Sequence, residues 1–220
     1  MAEATLLISS KNYSSWSLRG YLLVRLSGLP FREIVANPDD PNVRAELLLR
    51  SSSIRVPSLI HDGATVWDTL AIAEYLNEIR PEAGMLPTER KARAHCRSVS
   101  AEMHSGFSAM RSSLPMNLRG HSSNHTIWSS AQADIDNIIA IWTDCFTRYD
   151  GPWLFGASPT IADAFYAPVV TRFLTYDVKL DARCRAFCAH IMAWKDMQEW
   201  VAAARVEPEQ IDELEVDMDF

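Results

Sequence analysis

Short apolar runs separated by turn residues fill the first third of the chain, and apolar residues recur at helical spacing through the rest. The run over 5–9, with Leu6, Leu7 and Ile8 together, predicts a short buried strand. Leu18, Leu22, Val24 and Leu26 then predict a helix from Ser14 or Ser15 to Ser27, ended by Gly28. Residues 29–35 form the next apolar run, 37–41 are turn material, 43–49 suit a short helix, and polar Ser51, Ser52 and Ser53 follow. Val56-Pro57 cannot continue a helix, because proline lacks an N–H and constrains the residue before it. Leu59-Ile60 reads as a strand, Asp62-Gly63 as a tight hairpin and Val66-Trp67 as the returning strand. Asp68 or Thr69 stands at the N-cap of a helix whose stripe is Leu70, Ile72, Ala73 and Leu76.

The pattern changes after Arg80-Pro81-Glu82-Ala83-Gly84, where two breakers make a linker. Beyond it the periodicity is helical throughout: 88–113, stopping before Pro115, then 129–149, 160–175, 182–190 and 192–204. A polar loop at 120–124 and the stretch Gly151 to Gly156 break the series. Thr160-Ile161-Ala162-Asp163 has the spacing of a reciprocal capping box, with Asp163 in the place Glu usually takes, so Asp163 is assigned to folding and not to chemistry.

The stretch VPSLIHDGATVWDTLAIAEYL, from Val56 to Leu76, resembles the glutathione-binding half of the cytosolic glutathione transferases, and SPTIADAFYAP resembles the core-helix signature of their helical domain. The resemblance implies an α/β thioredoxin-like N-terminal domain, a four-stranded mixed sheet with helices on both faces, over residues 1–82. It implies an all-α helical-bundle domain lining the acceptor pocket over 88–206, leaving 207–220 as an acidic tail. It further implies a cis peptide at Val56–Pro57, with the Val56 backbone pairing the cysteinyl part of glutathione. Asp68 and Thr69 would face the γ-glutamyl end, as an ammonium partner and a carboxylate partner, while also capping the helix. Arg55 would pair the glycyl carboxylate. Glutathione is then the co-substrate, no metal is needed, and the family pattern is a cytoplasmic homodimer acting in detoxification.

The thiol of glutathione ionises near pH 8.5–9, so a user of it must hold the thiolate with a donor and a positive helix end. The junction Asn12-Tyr13-Ser14-Ser15-Trp16-Ser17-Leu18-Arg19 offers both, and it is most similar to the Ser-containing zeta and tau branches and their bacterial relatives. An ungapped count from Arg19 puts the family's catalytic serine slot on Asn12. The candidates are therefore Ser14, then Asn12, then Ser15, with an N-cap role as the competing reading for the serines. The phenol of Tyr13 is an alternative donor and a candidate pocket residue. Met103, Phe107 and Arg111 recur at helical spacing and are candidates for the acceptor pocket. His104 is assigned to structure. His121 and His125 have a ligand-like spacing but no Cys or acidic companion, which argues against zinc. A binding protein on the same scaffold is the competing class, and an isomerase or peroxidase would use the same thiolate.

Composition adds little to this. The chain has 220 residues, 28 acids and 21 bases, a net charge of −7. The seven acids between Glu207 and Asp219 account for the whole excess, so the body is formally neutral and no nucleic-acid surface is expected. The tail either keeps the protein soluble or covers part of the body, since Ile211, Leu214, Val216, Met218 and Phe220 interleave with the acids. No apolar stretch is long enough for a bilayer, and the first residues do not read as a secretory signal. Cys96, Cys145, Cys184 and Cys188 form no paired framework and read as buried thiols of a reducing compartment.

Overall fold

The computed structural model describes residues 4–36, 53, 55–208, 210, 211 and 214. The expected turn at 37–41, the helix at 43–49, and Ser51 and Ser52 lie outside the described residues. The N-terminal half holds β1 (Ala4–Ile8), α1 (Ser15–Ser27), β2 (Phe31–Val35), β3 (Ser58–His61), β4 (Ala64–Trp67) and α2 (Thr69–Ile79). The strands form one sheet in the order β2-β1-β3-β4, with β1 parallel to β2 and antiparallel to β3, and β3 antiparallel to β4. This is the mixed, thioredoxin-like sheet expected from the sequence. All five residues of β1 are buried, which is why its side chains are apolar on both faces apart from Thr5.

Local chemistry sets the element ends. The hairpin between β3 and β4 turns on Asp62 at φ 47° and Gly63 at φ 76°, the left-handed pair a two-residue turn requires. Ser14 caps α1, its Oγ accepting from the Ser17 N–H at 3.2 Å, and Gly28 closes the helix in the left-handed region. Gly20 has a different reason. A Cβ there would lie 2.6 Å from Pro57 Cβ and 2.7 Å from its Cγ, so only glycine lets α1 settle onto the proline. The Val56–Pro57 peptide is cis, as the resemblance implies.

The second half contains, after a 3₁₀ turn at Pro81–Ala83, the helices α3 (Arg90–Ser105), α4 (Ser108–Ser113), α5 (Ser129–Tyr149), α6 (Ile161–Thr175), α7 (Ala182–Ala193) and α8 (Lys195–Arg205). One expectation needs correction: the continuous helix over 88–113 is two helices. Gly106 and Phe107 break it, Phe107 taking φ 55°, and Asp134 Oδ2 on α5 accepts the Met110 N–H at 2.9 Å at the start of α4. The last two helices also differ slightly from expectation, meeting at Trp194.

Helix α6 is the axis of this half. Of its 15 residues only Leu174 is exposed. It touches both α1 and α3, so it carries the junction between the two halves. The capping box at its start forms as expected. Asp163 is fully buried; its Oδ2 accepts from the Thr160 N–H at 2.7 Å and the Thr160 hydroxyl at 3.0 Å, and its Oδ1 from the Leu154 N–H at 2.9 Å. Burial pushes this carboxyl up to about 6 even though those three donors pull the other way. The four cysteines are free and buried.

The described part of the tail lies on the body. Glu207 receives the Ser10 hydroxyl at 2.7 Å, the Lys11 N–H at 2.8 Å and the Asn12 N–H at 2.9 Å, all from the β1–α1 loop. The Ile211 N–H reaches the Tyr13 hydroxyl at 3.3 Å, and Asn117 Nδ2 donates to the Leu214 carbonyl at 3.3 Å.

Candidate active site

A cleft of about 490 Å³ opens where the two halves meet. Its described lining is Trp16 from α1, Arg55, Val56 and Pro57 ahead of β3, Asp68 and Thr69 at the head of α2, and His104 from α3. Two constraints place the first wall. The cis proline turns the chain just before β3, and Gly20 lets α1 close against it. The second wall follows from the cap of α2. Asp68 Oδ1 accepts the Leu70 N–H at 2.9 Å, satisfying one of the amides a helix start leaves unpaired. Asp68 does this from φ 76° and ψ 133°, a backbone region that costs a non-glycine residue on the order of 1–3 kcal/mol and that persists only where its surroundings enforce it.

His104 supplies that enforcement from the helical half. Its Nε2 lies 3.1 Å from Asp68 Oδ2, and its Nδ1 lies 3.3 Å from the buried Thr69 Oγ1. The Trp16 ring meets the His104 ring edge-on, centroids 5.1 Å apart. The cleft thus combines an exposed guanidinium (Arg55), an acid and a hydroxyl at a helix N-terminus (Asp68 and Thr69), and the rings of Trp16 and His104. Such a surface can take an extended, zwitterionic peptide whose carboxylate meets the positive end of α2.

The structure brings together five of the expected site residues: Arg55, Val56, Pro57, Asp68 and Thr69. It places the others elsewhere. Ser14 is half-buried at the cap of α1, donating its hydroxyl proton to Ser17 Oγ at 2.9 Å. Asn12 is fully buried and faces the helical half: its Nδ2 donates to Asn117 Oδ1 at 2.9 Å, and its Oδ1 accepts the N–H groups of Leu118 and Arg119 at 2.9 and 3.1 Å. Ser15 is buried, with Arg172 Nη2 3.2 Å from its Oγ. The Tyr13 hydroxyl accepts from Arg119 Nη2 at 2.9 Å. Met103 and Phe107 are buried in the core and do not line the cleft; their helical spacing reflects packing. Arg111 touches it indirectly, its guanidinium stacked 5.5 Å from the Trp16 centroid. His121 pairs with Asp177 and His125 with the Ser113 carbonyl, and no three His, Cys, Asp or Glu side chains converge among the described residues. Nor is any described helix long and apolar enough to cross a membrane.

Trp16 and His104 are the lining residues that sequence reasoning did not place there. Trp16 had a local signal, since it stands in the first turn beside the candidate donors. His104 had none, because its role arises only when α3 comes against α2.

Two family models match the chain: the glutathione S-transferase N-terminal domain over residues 13–79 and the glutathione S-transferase C-terminal domain over 90–203. The chain belongs to the glutathione S-transferase family. Among curated relatives, a maleylacetoacetate isomerase of Rattus norvegicus is 27% identical over 170 residues, covering 76% of this chain and 77% of that one. A probable maleylacetoacetate isomerase of Caenorhabditis elegans is 23% identical over 157 residues, covering 71% and 73%. Among solved structures, a glutathione transferase homologue from Burkholderia with bound glutathione superposes with a TM-score of 0.72 at 22% identity, over 94% of this chain and 100% of that one. The holo structure of maleyl pyruvate isomerase, a bacterial zeta-class member of the family, gives 0.69 at 19%, with the same coverage.

Proposed function

We propose that the protein is a glutathione transferase that lays glutathione across this cleft and directs its thiolate at a small electrophilic acceptor. The observation that carries the reading is the position of the proline-fixed Val56 backbone opposite a strained, capped helix start at Asp68 and Thr69. Val56 pairs the cysteinyl backbone, Asp68 takes the γ-glutamyl ammonium, and Thr69, with its hydroxyl and its own N–H at the start of α2, takes the adjacent carboxylate. Arg55 answers the glycyl carboxylate. His104 keeps Asp68 and Thr69 in place, which makes the helical half part of the binding device.

The thiolate rests near the N-terminal end of α1, whose dipole favours negative charge. Ser14 ranks first as the donor to sulfur, because it stands at the start of α1 and its hydroxyl proton is engaged only by Ser17 Oγ. Asn12 comes second because its amide already holds the helical half, and Ser15 third because it lies beneath Arg172. Of the acceptor-side candidates Tyr13 and Arg111 are kept, with Arg111 acting through Trp16, while Met103 and Phe107 belong to the core beneath. The reading extends to a cytoplasmic homodimer, by the pattern of the family.

The names of the curated relatives favour a second activity for the same thiolate, the isomerisation of a conjugated cis acid. There the C–S bond forms at the double bond, the electron pair moves to the carbonyl, the former double bond rotates, and expulsion of the thiolate restores it. Turnover of a chloronitrobenzene, a hydroperoxide and a conjugated cis acid, each with glutathione, separates transfer, peroxide reduction and isomerisation. Ser14→Ala lowers the favoured turnover tenfold or more, about 1.4 kcal/mol per tenfold. Unchanged kinetics would transfer the role to Asn12 or Ser15. Glutathione binding without turnover of any of the three would leave a binding protein on the same scaffold.

A further inference from the structure

Two arginines are fully buried at the contact of α1 and α6, and each keeps an unused donor. Arg19 gives its Nε to the Phe165 carbonyl at 2.9 Å and approaches the Ser15 carbonyl with Nη1 at 3.5 Å, while its Nη2 has no partner. Arg172 approaches Ser15 Oγ with Nη2 at 3.2 Å and the Pro168 carbonyl with Nη1 at 3.4 Å, while its Nε has no partner. Both guanidinium groups therefore converge on Ser15. A third, half-buried Arg111 on α4, also lies against the Trp16 ring, Arg111 and Arg19 standing 5.5 and 4.6 Å from its centroid. No carboxylate among the described residues answers this charge. The ionisable neighbours of Arg19 are Arg172, Arg111 and Tyr166, and those of Arg172 are Arg111 and Tyr176. Burial first, and mutual repulsion second, hold Arg19 well below the usual arginine range and bring Arg172 down to about 10. Buried charges are ordinarily paired, and removal from water without a counter-ion is among the most costly arrangements a fold can hold.

We propose that Arg19, Arg172 and Arg111 form a binding site for a small monovalent anion behind Trp16, taken up by the free donors Arg19 Nη2 and Arg172 Nε. Guanidinium donors in a water-poor setting suit a halide ion or a single carboxylate group equally well, since both accept charge-assisted hydrogen bonds. Trp16 and Arg111 form the outer edge of the site, and Trp16 also lines the cleft, so occupancy stiffens the wall that the cleft shares.

The test is thermal unfolding of the full chain, without glutathione, at constant ionic strength. Sodium chloride or sodium acetate replaces the salt of a bulky sulfonate that is too large to enter. Because the probe is the free protein, the outcome does not depend on the glutathione reading. A saturable rise in Tm is expected, about 5 °C or more once the anion stands a hundredfold above its Kd. Response to chloride assigns a free inorganic anion, and tighter response to acetate assigns the carboxylate of an organic ligand. Arg111→Gln, at a half-buried position that does not threaten folding, and Arg172→Gln both abolish the saturable part. Bromide in a crystal is expected between Arg19 Nη2 and Arg172 Nε, which gives a readout that needs no variant. No saturable rise with either anion, a rise in Arg111→Gln equal to that of the wild type, or bromide absent from that position would overturn the proposal.

Discussion

Replacing Gly20 with alanine sets two opposed effects against each other. Inside an exposed helix the change stabilises by about 0.5–1 kcal/mol, because glycine surrenders more backbone freedom. Here the new methyl would sit 2.6 Å from Pro57 Cβ and 2.7 Å from its Cγ. Carbon atoms rest at about 3.5–4.0 Å, so roughly 1 Å must be recovered. The proline ring has no rotamer by which to withdraw, so α1 and the chain ahead of β3 must move apart. Overpacking of this kind costs about 1–3 kcal/mol. The overlap wins, and Gly20→Ala is predicted to lose about 1–2 kcal/mol in urea unfolding. Because Trp16 on α1 and Val56 and Pro57 line the same cleft, calorimetric affinity for glutathione should fall as well. A variant as stable as the wild type, or more stable, with unchanged affinity, would refute the claim that this close approach shapes the cleft.

Three further outcomes are expected. The Asp163 carboxyl ionises at about 6 in the folded protein, above its unfolded value of about 3.9, so its contribution is complete below pH 4 and is lost as the pH rises through 6. The stability of the wild type relative to Asp163→Asn should then fall by about 3 kcal/mol between pH 4 and 7.5 in urea titrations, and a difference that stays flat would contradict this. Glu207→Ala removes the acceptor of three hydrogen bonds from Ser10, Lys11 and Asn12, and should cost about 2 kcal/mol and speed hydrogen exchange at Lys11 and Asn12. Unchanged exchange there would show that the tail does not hold the loop. Burial pushes the thiols of Cys96, Cys145, Cys184 and Cys188 up to about 12. Ellman's reagent at pH 8 should therefore find none of the four in the native protein and all four in denaturant, and a rapidly reacting native thiol would mean that its helix opens.

Features governed by neighbours in sequence were legible. Asp62-Gly63 demanded a tight hairpin, Gly28 ended α1, and the helix over 129–149 was readable from its stripe alone. The Val-Pro pair and the acid before Thr69 carried enough family pattern to locate most of the cleft. What stayed hidden depends on distant partners. The apolar rhythm runs on through Gly106, yet the chain breaks there because Asp134, on another helix, receives the Met110 N–H. Asn12 looked like a thiol donor, but its amide meets Asn117, 105 positions away. His104 looked structural because nothing near it in sequence announces Asp68 and Thr69. The uncompensated pair Arg19 and Arg172 was equally invisible, since their meeting exists only where α1 packs on α6.

Everything proposed for the cleft depends on where glutathione lies, and a crystal structure of the protein with millimolar glutathione tests that directly. The expected structure has the cysteinyl backbone paired with Val56, the γ-glutamyl end at Asp68 and Thr69, and the sulfur toward the start of α1. A tripeptide bound elsewhere, or a cleft without it at that concentration, would contradict the proposed function while leaving the fold as described.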